Sequence, residues 1–208
     1  QALVRTNWFK YIEGPVYINK ILYRYKNIGN NTSFIIKDST IAIHKNAFRG
    51  NVRLTHVRIP ESVTSIGEHA FSGCTYLQSI KLPQNTTTLG NFAFYECTNL
   101  KSITLPDSLK TIGRYCFGNC KNLQSINIPS NVDSIGPAVF MGCEFLKSVS
   151  VQNENNTYDS RDNCNAIIKT SENKLIAGCH KTIIPNTIIH IDDFAFLGIT
   201  RLTSIVIP

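Results

Sequence analysis

Between Glu61 and Pro83 the apolar residues Val63, Ile66, Ala70, Phe71, Leu77, Ile80 and Leu82 alternate with polar ones, and the pattern returns every 23 residues. Copies run 38–60, 61–83, 84–106, 107–129 and 130–152, and a sixth runs 186–208. All six keep a phenylalanine (Phe48, Phe71, Phe94, Phe117, Phe140, Phe196) and a leucine (Leu54, Leu77, Leu100, Leu123, Leu146, Leu202). So regular a period predicts a solenoid, in which one coil cannot bury its apolar side until its neighbour stacks on it. Within a coil, Ile80-Lys81-Leu82 alternates as a short strand does, and Pro83 ends it by withholding an N–H from the ladder. Val63 to Ile66 reads as a second extended piece, closed by Gly67. Glu68 to Gly73 is long enough for one helical turn, with Ala70 and Phe71 inward and Gly73 as its stop. The expected fold is thus an α/β repeat solenoid: a right-handed, leucine-rich-repeat-like coil of short parallel strands with one-turn helices, its coils about 4.8 Å apart, and a phenylalanine column at its centre.

Two stretches break the period. In residues 14–37, Val16 to Ile18 and Ile21 to Tyr25 flank Asn19-Lys20, as the arms of a β-hairpin flank its turn. In residues 153–185, Ala166 to Lys169 and Lys174 to Ala177 flank a polar Ser-Glu-Asn turn in the same way. The chain therefore reads as one solenoid over 1–208: an N-terminal cap and hairpin insert (1–37), five repeats (38–152), a hairpin insert (153–185) and a sixth repeat (186–208). Trp8, Phe9 and Tyr11 are expected to fold over the open first coil, since an uncovered sheet edge invites aggregation. A start at Gln1 and a stop at Pro208, the last residue of a repeat, read as a fragment of a longer protein or a processed chain.

Composition adds a bias in charge. The net charge is +7, but residues 1–60 carry ten Lys/Arg against two acids, whereas residues 61–208 carry eleven against twelve. The basic end would attract an acidic glycan, an anionic headgroup or an acidic protein, or serve as a solvated face, since its cations are scattered. No basic recognition helix or known reading motif is present, so nucleic acid is not an expected partner. No apolar run approaches the length of a membrane span, and no signal-peptide core is visible.

The pattern Val-Thr-Ser-Ile-Gly-x-x-Ala-Phe-x-Gly-Cys-x-x-Leu-x-Ser-Ile-x-Ile-Pro resembles the BspA-type leucine-rich repeat, over about residues 34–152 and 182–208. The stretches Ser160 to Ile168 and Leu175 to Cys179 resemble the hairpin interruptions of that family. The common Leu-x-x-Leu-x-Leu-x-x-Asn ladder of horseshoe repeats is absent. The resemblance implies a bacterial cell-surface or secreted protein with an adhesive role outside the cell.

Catalysis finds little support. The five histidines are dispersed, and no Gly-x-Ser-x-Gly, His-Glu-x-x-His or phosphate-cradling loop occurs. The recurring Ser79, Ser102, Ser125, Ser148 and Ser204 serve the coil, since a nucleophile is singular. Cys74, Cys97, Cys120 and Cys143 fall one per coil, so they should stack with parallel Cβ vectors, which disfavours disulfides between them. They read as small buried residues, with Asn51 and Ile199 at the ends of their column. A bridge between Cys164 and Cys179 stays open if the hairpin register suits it. No C-x-x-C and no zinc spacing is present, so neither metal nor cofactor is expected. Asn30, Asn31, Asn85 and Asn155 begin glycosylation sequons, of consequence only in a source that glycosylates secreted proteins.

Binding has a firmer physical basis. Residues flanking the central strand isoleucine should point outward, giving each coil its own polar set on one sheet face. Along the stack these are Thr55, His56 and Arg58; Gln78, Ser79 and Lys81; Lys101 and Thr104; Gln124 and Asn127; Lys147 and Ser150; then Thr203 and Val206. A rigid face of varied side chains is how solenoids meet extended partners, although any exposed sheet face must also be polar. The reading is a non-enzymatic, monomeric module that holds this strip toward an extracellular or host protein or glycan. Its rivals are a structural spacer carrying another domain and self-association through the terminal coil.

Overall fold

The computed structural model describes residues 12–27 and 29–207; the expected covering role of Trp8, Phe9 and Tyr11 lies outside them. An antiparallel pair opens the fold, β1 (Gly14–Ile18) and β2 (Ile21–Lys26), joined by a turn at Asn19-Lys20, with Asn19 left-handed at φ 53°. β3 (Ser33–Ile35) follows. Each of the next five coils gives a two-residue strand and then a longer one. They are β4 (Ala42–Ile43) and β5 (His56–Arg58), β6 (Ser65–Ile66) and β7 (Ser79–Lys81), β8 (Thr88–Leu89) and β9 (Ser102–Thr104). β10 (Thr111–Ile112) and β11 (Ser125–Ile128), then β12 (Ser134–Ile135) and β13 (Ser148–Val151), complete the five. A last group holds β14 (Tyr158–Asp159), β15 (Ala166–Lys169), β16 (Lys174–Gly178) and β17 (His190–Ile191).

The short strands form one sheet in the order β1-β2-β4-β6-β8-β10-β12, parallel from β2 onward. Its register is one coil per step, Ile66 facing Leu89 and Leu89 facing Ile112. The longer strands line a second side, paired in parallel as β3-β5, β7-β9 and β11-β13. Here Val57, Ile80, Ile103, Ile126 and Val149 point into the core. The parallel coil expected from the 23-residue period is the fold, as a β-solenoid of about six turns.

The third side corrects the sequence reading. Glu68 to Gly73 and its counterparts are turns, and no α-helix occurs among the described residues. The reason lies in two left-handed residues per coil: His69 (φ 53°) and Gly73 (φ 73°), then Phe92 and Glu96, then Tyr115 and Asn119. A single left-handed residue interrupts a right-handed helix. The backbone groups so freed bond in alternation. Ala70 N donates back to Gly67 O (3.2 Å), while Phe71 N donates across to Ala93 O of the next coil (2.8 Å). Phe48, Phe94 and Phe117 repeat that cross-coil bond, to Ala70, Cys116 and Val139. The turns are thus a third inter-coil ladder, which satisfies backbone that a helical turn would have satisfied locally.

Close stacking explains the glycine that opens four of the turns, Gly67, Gly90, Gly113 and Gly136. A Cβ on Gly113 would lie 2.4 Å from Asn91 N and 2.5 Å from Gly90 C, and one on Gly136 would lie 2.3 Å from Arg114 N. Only a residue without Cβ admits the neighbouring backbone there.

Inside the triangle, Phe48, Phe71, Phe94, Phe117 and Phe140 stack in one column, centroids 4.8, 5.3, 5.8 and 6.1 Å apart. Tyr25 and Phe34 close its first end. Phe196 stands apart from the column, half-buried against a second cluster of Cys164, Ala166, Ile168, Leu175, Ile184 and Ala195. The two antiparallel pairs match residue for residue. Both carry an irregularity one step beyond Leu22 or Leu175, and both lend their second strand as a parallel partner to the next coil. Tyr25 N bonds Ala47 O as Gly178 N bonds Ala195 O. The second pair is apolar on both sides: Ile167, Ala177 and Cys179 join the main core, while Ile168 and Leu175 start the second cluster. In the first pair, Arg24 and Lys26 stand where Ala177 and Cys179 stand in the second.

Candidate surface site

The cysteine column is buried. Cys74, Cys97, Cys120 and Cys143 have no exposed surface, and each Sγ donates to a phenylalanine carbonyl 26 residues back, at 3.1–3.2 Å. Burial pushes the Cys74 and Cys143 thiols up to about 12 and the Cys97 and Cys120 thiols well above their ordinary value. A thiol held in that form is neither nucleophile nor metal ligand. All seven cysteines are free. Cys164 and Cys179 lie in different core clusters, each beside its own carbonyl partner (Ala166 O and Asn165 O), so the open possibility of a bridge is not realised. Among the described residues no group of three or more His, Cys, Asp or Glu is placed to hold a metal ion.

The outward residues of the longer strands stand in three columns. Thr55, Gln78, Lys101, Gln124 and Lys147 form the first; His56, Ser79, Ser102, Ser125 and Ser148 the second; Arg58, Lys81, Thr104, Asn127 and Ser150 the third. All are exposed except the half-buried Thr55 and Ser150. Ladder register fixes these neighbours, with Ser79 opposite Ser102, Lys81 opposite Thr104 and Asn127 opposite Ser150. Thr55 Oγ1 bonds Thr32 O at 2.9 Å and Ser150 Oγ bonds Asn127 Oδ1 at 2.9 Å. Arg58 meets Asp38 at 3.4 Å, a solvent-exposed pair worth little to stability. Residues 202–207 form no strand, so Thr203 and Val206 do not extend the strip; Ile205 packs on the second cluster while Val206 is 81% exposed.

Two features of the surface escaped the sequence reading. On the turn side, His69, Phe92 and Tyr115 stack at 4.6 and 5.0 Å with nearly parallel rings, each at a left-handed position. The 23-residue spacing of three ring-bearing side chains was the available signal. At the far end of the strip, β13 and the loop 160–165 enclose a polar groove of about 790 Å³. A depression of about 380 Å³ continues it toward Thr104, sharing Asp107, Asn127 and Gln152. Gln152 reaches across this floor, accepting from Ser130 N (2.8 Å) and donating to Asp107 Oδ1 (3.3 Å). Nothing in the repeat predicts it, because its far wall belongs to the stretch that leaves the repeat.

The BspA type leucine rich repeat region matches in six copies over residues 18–147 and 177–208. This chain belongs to that family. No match is found among curated proteins. Among solved structures, a leucine rich repeat protein of T. pallidum is similar at 27% identity and TM-score 0.66, over 88% of this chain and 82% of that one. A leucine rich cell surface protein of Faecalibacterium prausnitzii is similar at 26% identity and TM-score 0.68, over 93% and 62%. The pneumococcal vaccine antigen PcpA shares the fold at 20% identity and TM-score 0.75, over 91% and 54%. The chain thus spans little more than half the length of the last two. Its relatives are repeat proteins, and no catalytic activity is indicated by them or by the site. No helix among the described residues is long and apolar enough to cross a membrane.

Proposed function

We propose that this chain is a cell-surface or secreted adhesion module that binds an extracellular or host protein or glycan through the outward face of its longer strands. The observation that carries the reading is the register of that face. Two columns of varied polar side chains flank a mostly serine one, and within the pairs β3-β5, β7-β9 and β11-β13 they are held in register at coil spacing, so the surface is ordered before a partner arrives. Preorganisation lowers the cost of binding. Cell-surface residence is supported by the similarity to the Faecalibacterium prausnitzii cell surface protein. The cations Arg58, Lys81, Lys101 and Lys147 give the face its attraction for acidic groups. In this reading 1–208 is one solenoid in which the antiparallel pairs of 1–37 and 153–185 interrupt the repeat, and the module works as a monomer without cofactor.

A solid-phase panel of matrix proteins, sulfated and neutral glycans and host-cell extracts, read at low and high salt, tests the proposal. Capture that weakens in Arg58→Ala/Lys81→Ala supports it. Silence across the panel from folded protein contradicts it and favours the rival, a structural spacer that holds another domain away from the surface.

A further inference from the structure

The groove at the end of the strip differs from the rest of that face in its chemistry. Arg58, Lys81, Lys101 and Lys147 all lie outside its lining, and neither it nor its continuation contains a cation or an aromatic ring. The lining instead offers side-chain amides (Asn127, Gln152, Asn163), serine hydroxyls and the carboxylates of Asp107 and Glu154. Its apolar floor residues, Val149 and Val151, are themselves buried.

We infer that this groove is a binding site for an uncharged oligosaccharide, a site that goes beyond the charged columns proposed above. An amide presents a donor and an acceptor side by side, which suits neighbouring sugar hydroxyls, and a carboxylate accepts from two of them. The two carboxylates repel sulfated or acidic glycans, and the absence of any cation leaves such a ligand no counter-charge. A peptide finds neither an aromatic anchor nor an apolar pocket for its side chains. On the outer edge of β13, Ser160 Oγ already occupies Val149 O (3.2 Å), one of the acceptors an added strand would need. The volume is that of an ordinary small-ligand site, and the continuation toward Thr104 makes it elongated, as a chain of sugars requires.

The wall is rigid before any ligand binds. Asp162, Asn163 and Asn165 hold left-handed φ of 57°, 52° and 53° in a four-residue span. That span is pinned by Cys164 N on Arg161 O (3.1 Å), while Arg161 clamps Asp159 with Nε–Oδ1 and Nη2–Oδ2 contacts of 2.9 and 2.6 Å. Asn163 is exposed, and its amide is available to a ligand.

The experiment is an array of uncharged and sulfated oligosaccharides probed with the full chain, followed by calorimetric titration of the hits. Its key variant is Glu154→Ala/Asn163→Gly, which removes two exposed polar groups while glycine keeps the left-handed backbone; an unchanged melting temperature establishes that it folds. The expected result is binding of uncharged glycans in preference to sulfated ones, weakened by about tenfold or more in the variant and nearly insensitive to salt up to about 0.5 M. Three results overturn the inference: no uncharged glycan bound, a hit retained at full affinity by the variant, or a peptide competing for the groove. Partner capture lost in Arg58→Ala/Lys81→Ala but kept in the groove variant leaves the strip proposal standing and removes this one. Glycan binding lost only in the groove variant does the reverse.

Discussion

Asn51 and Cys74 do the same work in successive coils. Asn51 Nδ2 donates to Tyr25 O at 3.0 Å, and Cys74 Sγ donates to Phe48 O at 3.2 Å, each 26 residues back. The column is therefore defined by a buried donor and not by sulfur, and it opens with the stronger donor where the repeat begins. Asn51 also bonds Phe48 O (2.7 Å) and accepts from Asn27 N (3.1 Å), tying the first coil to the antiparallel pair before it. Asn51→Ala leaves buried groups unpaired and should cost about 1–3 kcal/mol, read as a lowered denaturant midpoint.

The same burial makes the thiols silent. With burial holding their pKa high, the native protein should react with maleimide at none of its seven cysteines on a timescale on which the unfolded protein reacts at all of them. Mass spectrometry after a short pulse reads this directly. Rapid labelling of Cys97 or Cys120 in native buffer would contradict the described packing.

The phenylalanine column predicts unequal losses along the chain. Phe94 is fully buried between Phe71 and Phe117, so Phe94→Ala should cost about 3–5 kcal/mol. Phe196→Ala should cost clearly less, since Phe196 is half-buried and outside the column. Gly113→Ala drives a methyl into the backbone of the preceding coil and should cost about 1–3 kcal/mol from overpacking. Thermal melts of the three variants rank them.

Stability should fall as pH drops through the histidine range. Burial holds His44 and His69 below the usual imidazole value of 6.5, and at His69 the Arg49 charge adds to it. The unfolded chain then binds protons first, so this stability is complete above about pH 6.5 and is lost progressively as pH falls toward the folded values. Asp159 and Asp192 act only at lower pH. Burial alone would raise their pKa, but hydrogen bonds from Arg161 and Lys174 hold them below 3.8. Urea midpoints at about pH 7.5 and about pH 5.5 measure the histidine share. His69→Phe, which places there the residue found one coil on at Phe92, should shrink the difference.

The periodic part of this fold was legible in the sequence because each coil repeats the same demands. Ile80, Ile103 and Ile126 announce a strand, and Phe71 and Phe94 announce a core. The turn side is hidden in the sequence because Ala70-Phe71 has the spacing of a helical turn, and only the left-handed His69 and Gly73 reveal an inter-coil ladder; aromatic residues at such positions are rare. The strip's exposure followed from alternation. The groove did not, since Asp107 and Gln152 are separated by 45 residues and meet through two coils of stacking. The sixth repeat keeps the sequence signature, yet Phe196 packs against the second cluster, its ring beside Gly178 of β16.

The silent thiols permit the most direct test of the central claim, that the outward face of the longer strands is the binding surface. A single added cysteine, Thr104→Cys on that face or Lys110→Cys beside the short-strand sheet, is coupled to a bulky polyethylene glycol maleimide. Capture of the panel partner is then compared for the two adducts. The adduct at position 104 should abolish capture while the adduct at position 110 leaves it intact. Full capture by the protein blocked at position 104 would contradict the claim.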